Sequence, residues 1–180
     1  MTVDQIIDGL LKKEGGFVDH KDDRGGATNW GITEAVARAN GWTGLMRGMP
    51  ESVARDIYRR KYIEWPGFHM ILPLSPAIAA EVIDTGINMG PRVATRFLQR
   101  ALNALNRQQV DYADIAMDGL CGPATVRALA AFLARRRDGE RVMLIALNAL
   151  QGARYVELAE GRAANESFLN GWLANRVALT

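Results

Sequence analysis

An all-α fold follows from three features of the sequence. Apolar residues recur at the three- and four-residue spacing of a helical face, as in Val3, Ile6, Ile7, Leu10 and Leu11. Residues that start helices punctuate the chain: Thr2 with Gln5, Ser75-Pro76, Pro91 and Pro123. No run alternates apolar and polar residues between turn signals well enough to predict a strand, although residues 17 to 33 leave room for a short hairpin.

The elements follow in order. Thr2 and Gln5 form a capping box for a first helix that ends on Glu14, where Gly15 and Gly16 break it. Thr33 caps a short helix that stops before Gly41. Pro50 is placed at the first position of a helix carrying Val53, Ile57, Tyr58 and Tyr62. Pro66, Gly67 and Pro73 mark a loop. Ser75-Pro76 opens a helix reaching Met89-Gly90, and Pro91 opens the next, with Val93, Phe97, Leu98, Ala101 and Leu105 inward. Residues 106–122 read as a polar loop, and Pro123 to Arg136 as helix. Asp138 to Ala159 forms a long helix with Val142, Ile145, Ala146 and Ala149 on one face, and a last helix covers Glu166 to Val177.

With 180 residues, 48% of them hydrophobic, the chain can bury a core as one domain or as one domain with a small lobe. A net charge of +2 is too small to argue for nucleic acid, and a helix-turn-helix binder would need a one-sided basic face that is missing. The single cysteine, Cys121, excludes an internal disulfide, and an inert packed thiol is expected. The N-terminal residues lack the basic region and apolar run of a signal peptide, and no stretch is long enough to insert stably in a membrane. Synthesis in the cytoplasm is therefore expected. His20 and His69 are too scattered for a metal site. The hint of a calcium loop at Asp114, Asp118 and Gly119 fails because Ala116 and Thr125 stand where oxygen ligands are required. No metal and no cofactor is expected. Arg135, Arg136 and Arg137 read as a solvated helix end that can touch an acidic polymer.

The chemistry concentrates near the first helix. Glu14 closes it, and the partial negative charge at a helix C-terminus disfavours a carboxylate there. Apolar neighbours such as Phe17 and Trp30 add desolvation, so a raised pKa is predicted, as a general acid needs. Asp19, Asp22 and Asp23 follow within nine residues. Asp23, ahead of the Gly25-Gly26 turn and Thr28, is the second-carboxylate candidate, with a turn residue as its alternative. Gly25, Gly26 and Gly31 are turn residues that also let backbone approach a sugar ring. Thr28 and Thr33 either position substrate or serve local turns and caps, and Trp30 either stacks on a sugar or joins the core.

Glu14-Gly15-Gly16-Phe17 with Asp23-x-Gly25-Gly26-Ala27-Thr28-x-x-Gly31-Ile32-Thr33 resembles the signature of glycoside hydrolase family 108, N-acetylmuramidases of phages and bacteria also described as secretion activators. The resemblance implies a lysozyme-like helical fold and makes Glu14 the essential acid. The family's aromatic is usually Tyr where this chain has Phe17, and Asp19-His20-Lys21 replaces its Asn-Asp-Pro-like turn. The spacing also resembles the Glu–Asp–Thr trio of phage lysozymes, with Asp23 at the matching distance and Thr28 one residue short. Residues 81–90 resemble the family's central helix, whose Asp and Asn face the cleft, which implies Asp84 and Asn88 as substrate contacts; a buried helix capped at Asn88 and Gly90 reads equally well. Asp118-Gly119-x-x-Gly122-Pro123-x-Thr125 resembles the family's peptidoglycan-binding second half, and physically it is a tight turn feeding a helix.

The expectation is a catalytic muramidase region over residues 1–90 and a peptidoglycan-binding-like region over 91–180, packed as one body. The expected reaction is hydrolysis of the β-1,4 bond between N-acetylmuramic acid and N-acetylglucosamine, with Glu14 as acid and Asp23 assisting water or positive charge. The alternatives are a lytic transglycosylase and a non-catalytic cell-wall-binding or secretion-assisting module. Peptidoglycan is the expected partner. A monomer is expected to reach the periplasm or cell wall through a holin or a dedicated transporter.

Overall fold

The structure, a computed structural model, describes residues 2–18 and 26–177; the side chains of Lys13 and Glu14 fall outside that description. Among the described residues it is mainly helical, with eight α-helices and one two-stranded sheet. The chain divides into two units, Met1–Trp65 and Pro66–Thr180.

In the first unit, α1 (Val3–Glu14) starts at the expected capping box: Gln5 N donates to Thr2 Oγ1 at 3.2 Å, and Thr2 N donates to Gln5 Oε1 at 2.8 Å. Gly15, at φ +70°, ends the helix and returns its N–H to Leu11 O. Ile6, Ile7, Leu10 and Leu11 are buried, which contributes on the order of 2 kcal/mol per side chain. The short strands β1 (Thr28–Asn29) and β2 (Ile32–Thr33) precede α2 (Glu34–Ala39), which Thr33 caps through Val36 N. Pro50 stands one position earlier than expected, as the cap residue of α3 (Glu51–Ile57), because its extended backbone leaves the helix to begin at Glu51. That helix then widens into a π-helical stretch, Tyr58–Glu64. Asp8–Arg55 and Asp4–Arg59 ion pairs tie it to α1. A run of this width is rare and often accompanies function. Here it brings Tyr58, buried at 1% exposure, against the sheet.

The second unit is built from α4 (Pro76–Met89), α5 (Pro91–Leu105), α6 (Pro123–Arg135), α7 (Gly139–Glu160) and α8 (Glu166–Arg176). Ser75 caps α4 through Ile78 N and donates its own hydroxyl hydrogen to Glu140 at 2.6 Å. The helix α7 packs on α4, α5, α6 and α8. Its expected inward face is corrected: Ile145 is 40% exposed and Ala149 is exposed, while Met143, Leu147, Asn148, Gln151, Tyr155 and Ala159 are buried. Apolar residues almost encircle α7 from Leu144 to Leu150, so its periodicity does not select a face and its neighbours do. On α5, Leu98 and Ala101 are inward as expected, but Val93, Phe97 and Leu105 are only half-buried, and Thr95 and Gln99 share the buried stripe. The outermost helix, α8, has no buried residue; it is held by Trp172 stacked on Tyr155 at 5.2 Å and by Arg176 paired with Asp84 at 3.0 Å.

The polar stretch after α5 contains three successive left-handed residues, Arg107, Gln108 and Gln109, at φ +53°, +58° and +67°. Asn106 closes this turn by accepting from Gln109 N at 3.1 Å, and the fully buried Asp111 carboxylate receives Arg107 and Arg136. Arg136 is thus a structural residue rather than part of a free solvated end. The hydrogen bond from Arg107, joined by Arg136, holds the Asp111 carboxyl below the usual carboxylate range against the opposing effect of burial. A carboxyl depressed in this way stabilises the fold above its unfolded pKa, about 3.9, and loses that contribution as pH falls through the folded value. Thermal unfolding scanned between about pH 2 and pH 7 is therefore expected to show a steeper acid decline in the native chain than in Asp111→Asn. Equal slopes would assign the acid sensitivity elsewhere.

Candidate active site

The segment that carries the sequence motif is framed by backbone pairing. Val18 and Thr28 exchange two hydrogen bonds of 2.8 Å, and on the far side Thr28 pairs with Thr33 and Asn29 with Ile32. The room left for a hairpin between residues 17 and 33 is thus filled. Its turn is Trp30-Gly31, at φ +54° and +73°, the positive values that a two-residue turn between twisted strands requires. Gly31 meets that requirement without strain, whereas Trp30 needs external support. Trp30 Nε1 donates to Met49 O at 3.0 Å, and Trp30 O accepts from Tyr58 Oη at 3.0 Å. Gly31→Ala is expected to cost about 1 kcal/mol, a loss of roughly 2–4 °C in Tm, and Gly31→Asn to cost less because Asn tolerates the left-handed region. Equal losses from the two variants in thermal melts would remove the conformational explanation.

Sequence reasoning missed three residues that build this frame. Asn29, buried at 4% exposure, donates from Nδ2 to Met46 O at 2.7 Å. Tyr58 carries the bond to the turn, and the Arg47 guanidinium lies over the Phe17 ring at 4.9 Å. The consecutive Asn29-Trp30-Gly31 was the available signal for the turn. Tyr58 had no such signal, because a π-helix shifts side chains off the 3.6-residue register.

The predicted site residues are placed unevenly. Asp23 and Gly25 lie outside the described residues, as do Asp19 and Asp22, and the predicted pKa rise of Glu14 concerns a side chain also outside them. The backbone of Glu14 is the last residue of α1. Gly26 is exposed at φ +68°. The Thr28 hydroxyl donates to Gly26 O at 3.3 Å, and the Thr33 hydroxyl is the cap of α2, so both have local structural roles. Trp30 is half-buried and lines a cleft of about 290 Å³ with Asp8, Leu11, Lys12, Glu51 and Arg55, so one wall of that cleft is α1. Asp84 and Asn88 belong to the second unit, one turn apart on α4. Asn88 Nδ2 donates to Asp84 Oδ2 at 3.1 Å, and the other Asp84 oxygen receives Arg176. Cys121 is buried, and burial pushes its thiol up to about 11, which makes it inert as expected. Among the described residues no group of His, Cys, Asp and Glu is arranged to hold a metal ion, and no helix is long and apolar enough to cross a membrane.

Residues 7–90 match the family described as glycosyl hydrolase 108, and residues 93–177 match a predicted peptidoglycan domain. Residues 7–90 thus carry a glycosyl hydrolase 108 domain, and peptidoglycan is the polymer that the second matched stretch points to. The first match ends at Gly90, between α4 and α5, so α4 lies in the glycosyl hydrolase stretch although it packs with the second unit. The solved structure of SagA from Brucella abortus shares the fold, with a TM-score of 0.66 and 21% identity, over 99% of this chain and 97% of that one. No curated protein matches the chain at a significant level.

Proposed function

We propose that this glycosyl hydrolase is an N-acetylmuramidase that cuts the β-1,4 bond between N-acetylmuramic acid and N-acetylglucosamine in peptidoglycan. The observation that carries the reading is the glycosyl hydrolase 108 match over residues 7–90, whose Glu-Gly-Gly-aromatic motif falls where α1 ends at Glu14. Glu14 donates a proton to the leaving oxygen as an oxocarbenium-like state develops, and Asp23 activates water or offsets the positive charge. Gly25 and Gly26 bring backbone to the sugar, and Trp30 lends a ring face beside the cleft. Thr28 and Thr33 hold the hairpin next to the bond. Asp84 and Asn88 are the substrate contacts from α4. No cofactor takes part. The chain acts as a monomer in the periplasm or cell wall, in a lytic or secretion-assisting role, after export through a holin or a transporter.

Mass spectrometry of soluble fragments from purified peptidoglycan tests this. Reducing muramic-acid ends are expected from the native chain and not from Glu14→Gln. Anhydro ends would make the protein a lytic transglycosylase. Wall pull-down without any fragments would leave a binding module.

A further inference from the structure

A second cavity in the first unit, about 180 Å³, opens between the loop after α2 and the start of the π-helical stretch. Its size is about six water volumes, too small for a chain segment and suited to one pyranose ring. The ring of Trp42 with Val53 and Ile57 gives it an apolar wall, and Asp56 and Arg60 stand at its rim. The loop is braced from outside: Arg38 donates to Trp42 O at 3.0 Å and to Gly44 O at 2.7 Å, and Glu34 holds Arg38 at 2.7 Å. Gly44 is required there, since a Cβ on it would sit 2.6 Å from the Trp42 ring. The pocket is thus preformed by a fixed aromatic wall.

Its polar groups are unspent. Among the described residues, Trp42 Nε1 is shielded from water and has no acceptor, a cost of about 1–3 kcal/mol that folded proteins rarely leave uncompensated. The Asp56 carboxylate has no partner among them either, and Arg60 makes a long bond of 3.4 Å, from Nε to the Asp56 carbonyl. One carboxylate and one guanidinium leave the rim without net charge, which disfavours an anion or a cation and suits a neutral ligand with both donors and acceptors. An acetamido group meets each of these features. Its N–H can donate to the Asp56 carboxylate, its carbonyl can accept from the Arg60 guanidinium, and its methyl can rest on the apolar wall of Trp42 and Val53.

We propose that this cavity binds one N-acetylated sugar ring of a glycan, as an anchoring subsite separate from the Glu14 motif. It rests on the proposed function for the source of that sugar, the peptidoglycan glycan. The asparagine-glycine-tryptophan sequence at residues 40–42, without a role in the active-site motif, becomes the turn that presents the aromatic wall.

The test uses the full chain carrying Glu14→Gln, so that no turnover intervenes, with its four tryptophan indole N–H signals followed by nitrogen-15 NMR. Trp42→Phe assigns the relevant signal. Titration with an N-acetylglucosamine trisaccharide is expected to shift the Trp42 signal saturably, with a Kd of about 1 mM, as suits a single-ring site. Asp56→Ala and Arg60→Ala, both at exposed positions, are each expected to weaken that response roughly fivefold. A Trp42 signal that stays fixed, or that moves equally with the glucose trisaccharide lacking acetamido groups, overturns the proposal. Because fragment release reports on Glu14 and the indole signal reports on binding without turnover, either reading can fail while the other stands.

Discussion

Glu14→Gln is expected to lower the turnover of purified peptidoglycan about a thousandfold, while the melting temperature and the retention of the protein on cell walls stay within error of the native chain. A thousandfold corresponds to about 4 kcal/mol of transition-state stabilisation, which lies within the range a positioned general acid supplies. Gln keeps the volume and the hydrogen-bonding amide of the side chain but has no proton to give the leaving oxygen. The fold should not respond, because α1 is held by its capping box, by Ile6, Ile7, Leu10 and Leu11, and by ion pairs from Asp4 and Asp8, all N-terminal to Glu14. Activity retained in Glu14→Gln would remove the acid from this position. Activity lost together with the melting transition would reduce the residue to a structural role.

Much of this arrangement is legible in the sequence where local chemistry decides it. Thr2, Thr33, Ser75, Pro76, Pro91 and Pro123 start helices as their capping and dihedral preferences require, and Gly15 stops one. The hairpin was only an open possibility because each strand has two residues, too short for alternation to register. Its stability comes from Asn29 and Trp30 bonding to carbonyls at Met46 and Met49, partners 17 and 19 residues away that no local pattern encodes. The buried face of α7 was unreadable for a related reason. A helix apolar nearly all round is oriented by its neighbours, and those neighbours select a stripe holding Asn148 and Gln151. For the candidate site, Glu14, Trp30 and the glycine turns stood out by residue type. Tyr58 did not, since its role depends on the π-helical register and on a turn 28 residues earlier.

Gln99 shows the same principle in the second unit, and its replacement carries the largest expected effect on stability. Gln99 is 1% exposed, on the inward face of α5. Its Nε2 donates to Asp118 Oδ1 at 2.8 Å, Thr125 Oγ1 at 3.1 Å and Leu120 O at 3.2 Å, while its Oε1 accepts from Gly119 N at 3.0 Å. One amide thereby ties together Asp118, Gly119, Leu120 and Thr125 of the Asp118-Gly119-x-x-Gly122-Pro123-x-Thr125 motif. Asp118 adds a bond from Leu120 N at 2.8 Å, and these hydrogen bonds, Gln99 first, hold its carboxyl below the usual range. Gly119, at φ +76°, fits because a Cβ there would lie 3.0 Å from the Arg92 carbonyl. The motif is thus a turn that delivers the chain into α6, as its tight-turn reading implied. Gln99→Ala leaves the buried Gly119 N–H without an acceptor and opens a small void, together about 3 kcal/mol, or roughly 10 °C in Tm for a chain of this length. Gln99→Leu separates the two contributions: it refills the volume and restores none of the bonds, so it is expected to melt close to Gln99→Ala. If Leu instead recovered most of the loss, packing rather than the hydrogen-bonded turn would hold this part of the peptidoglycan domain together.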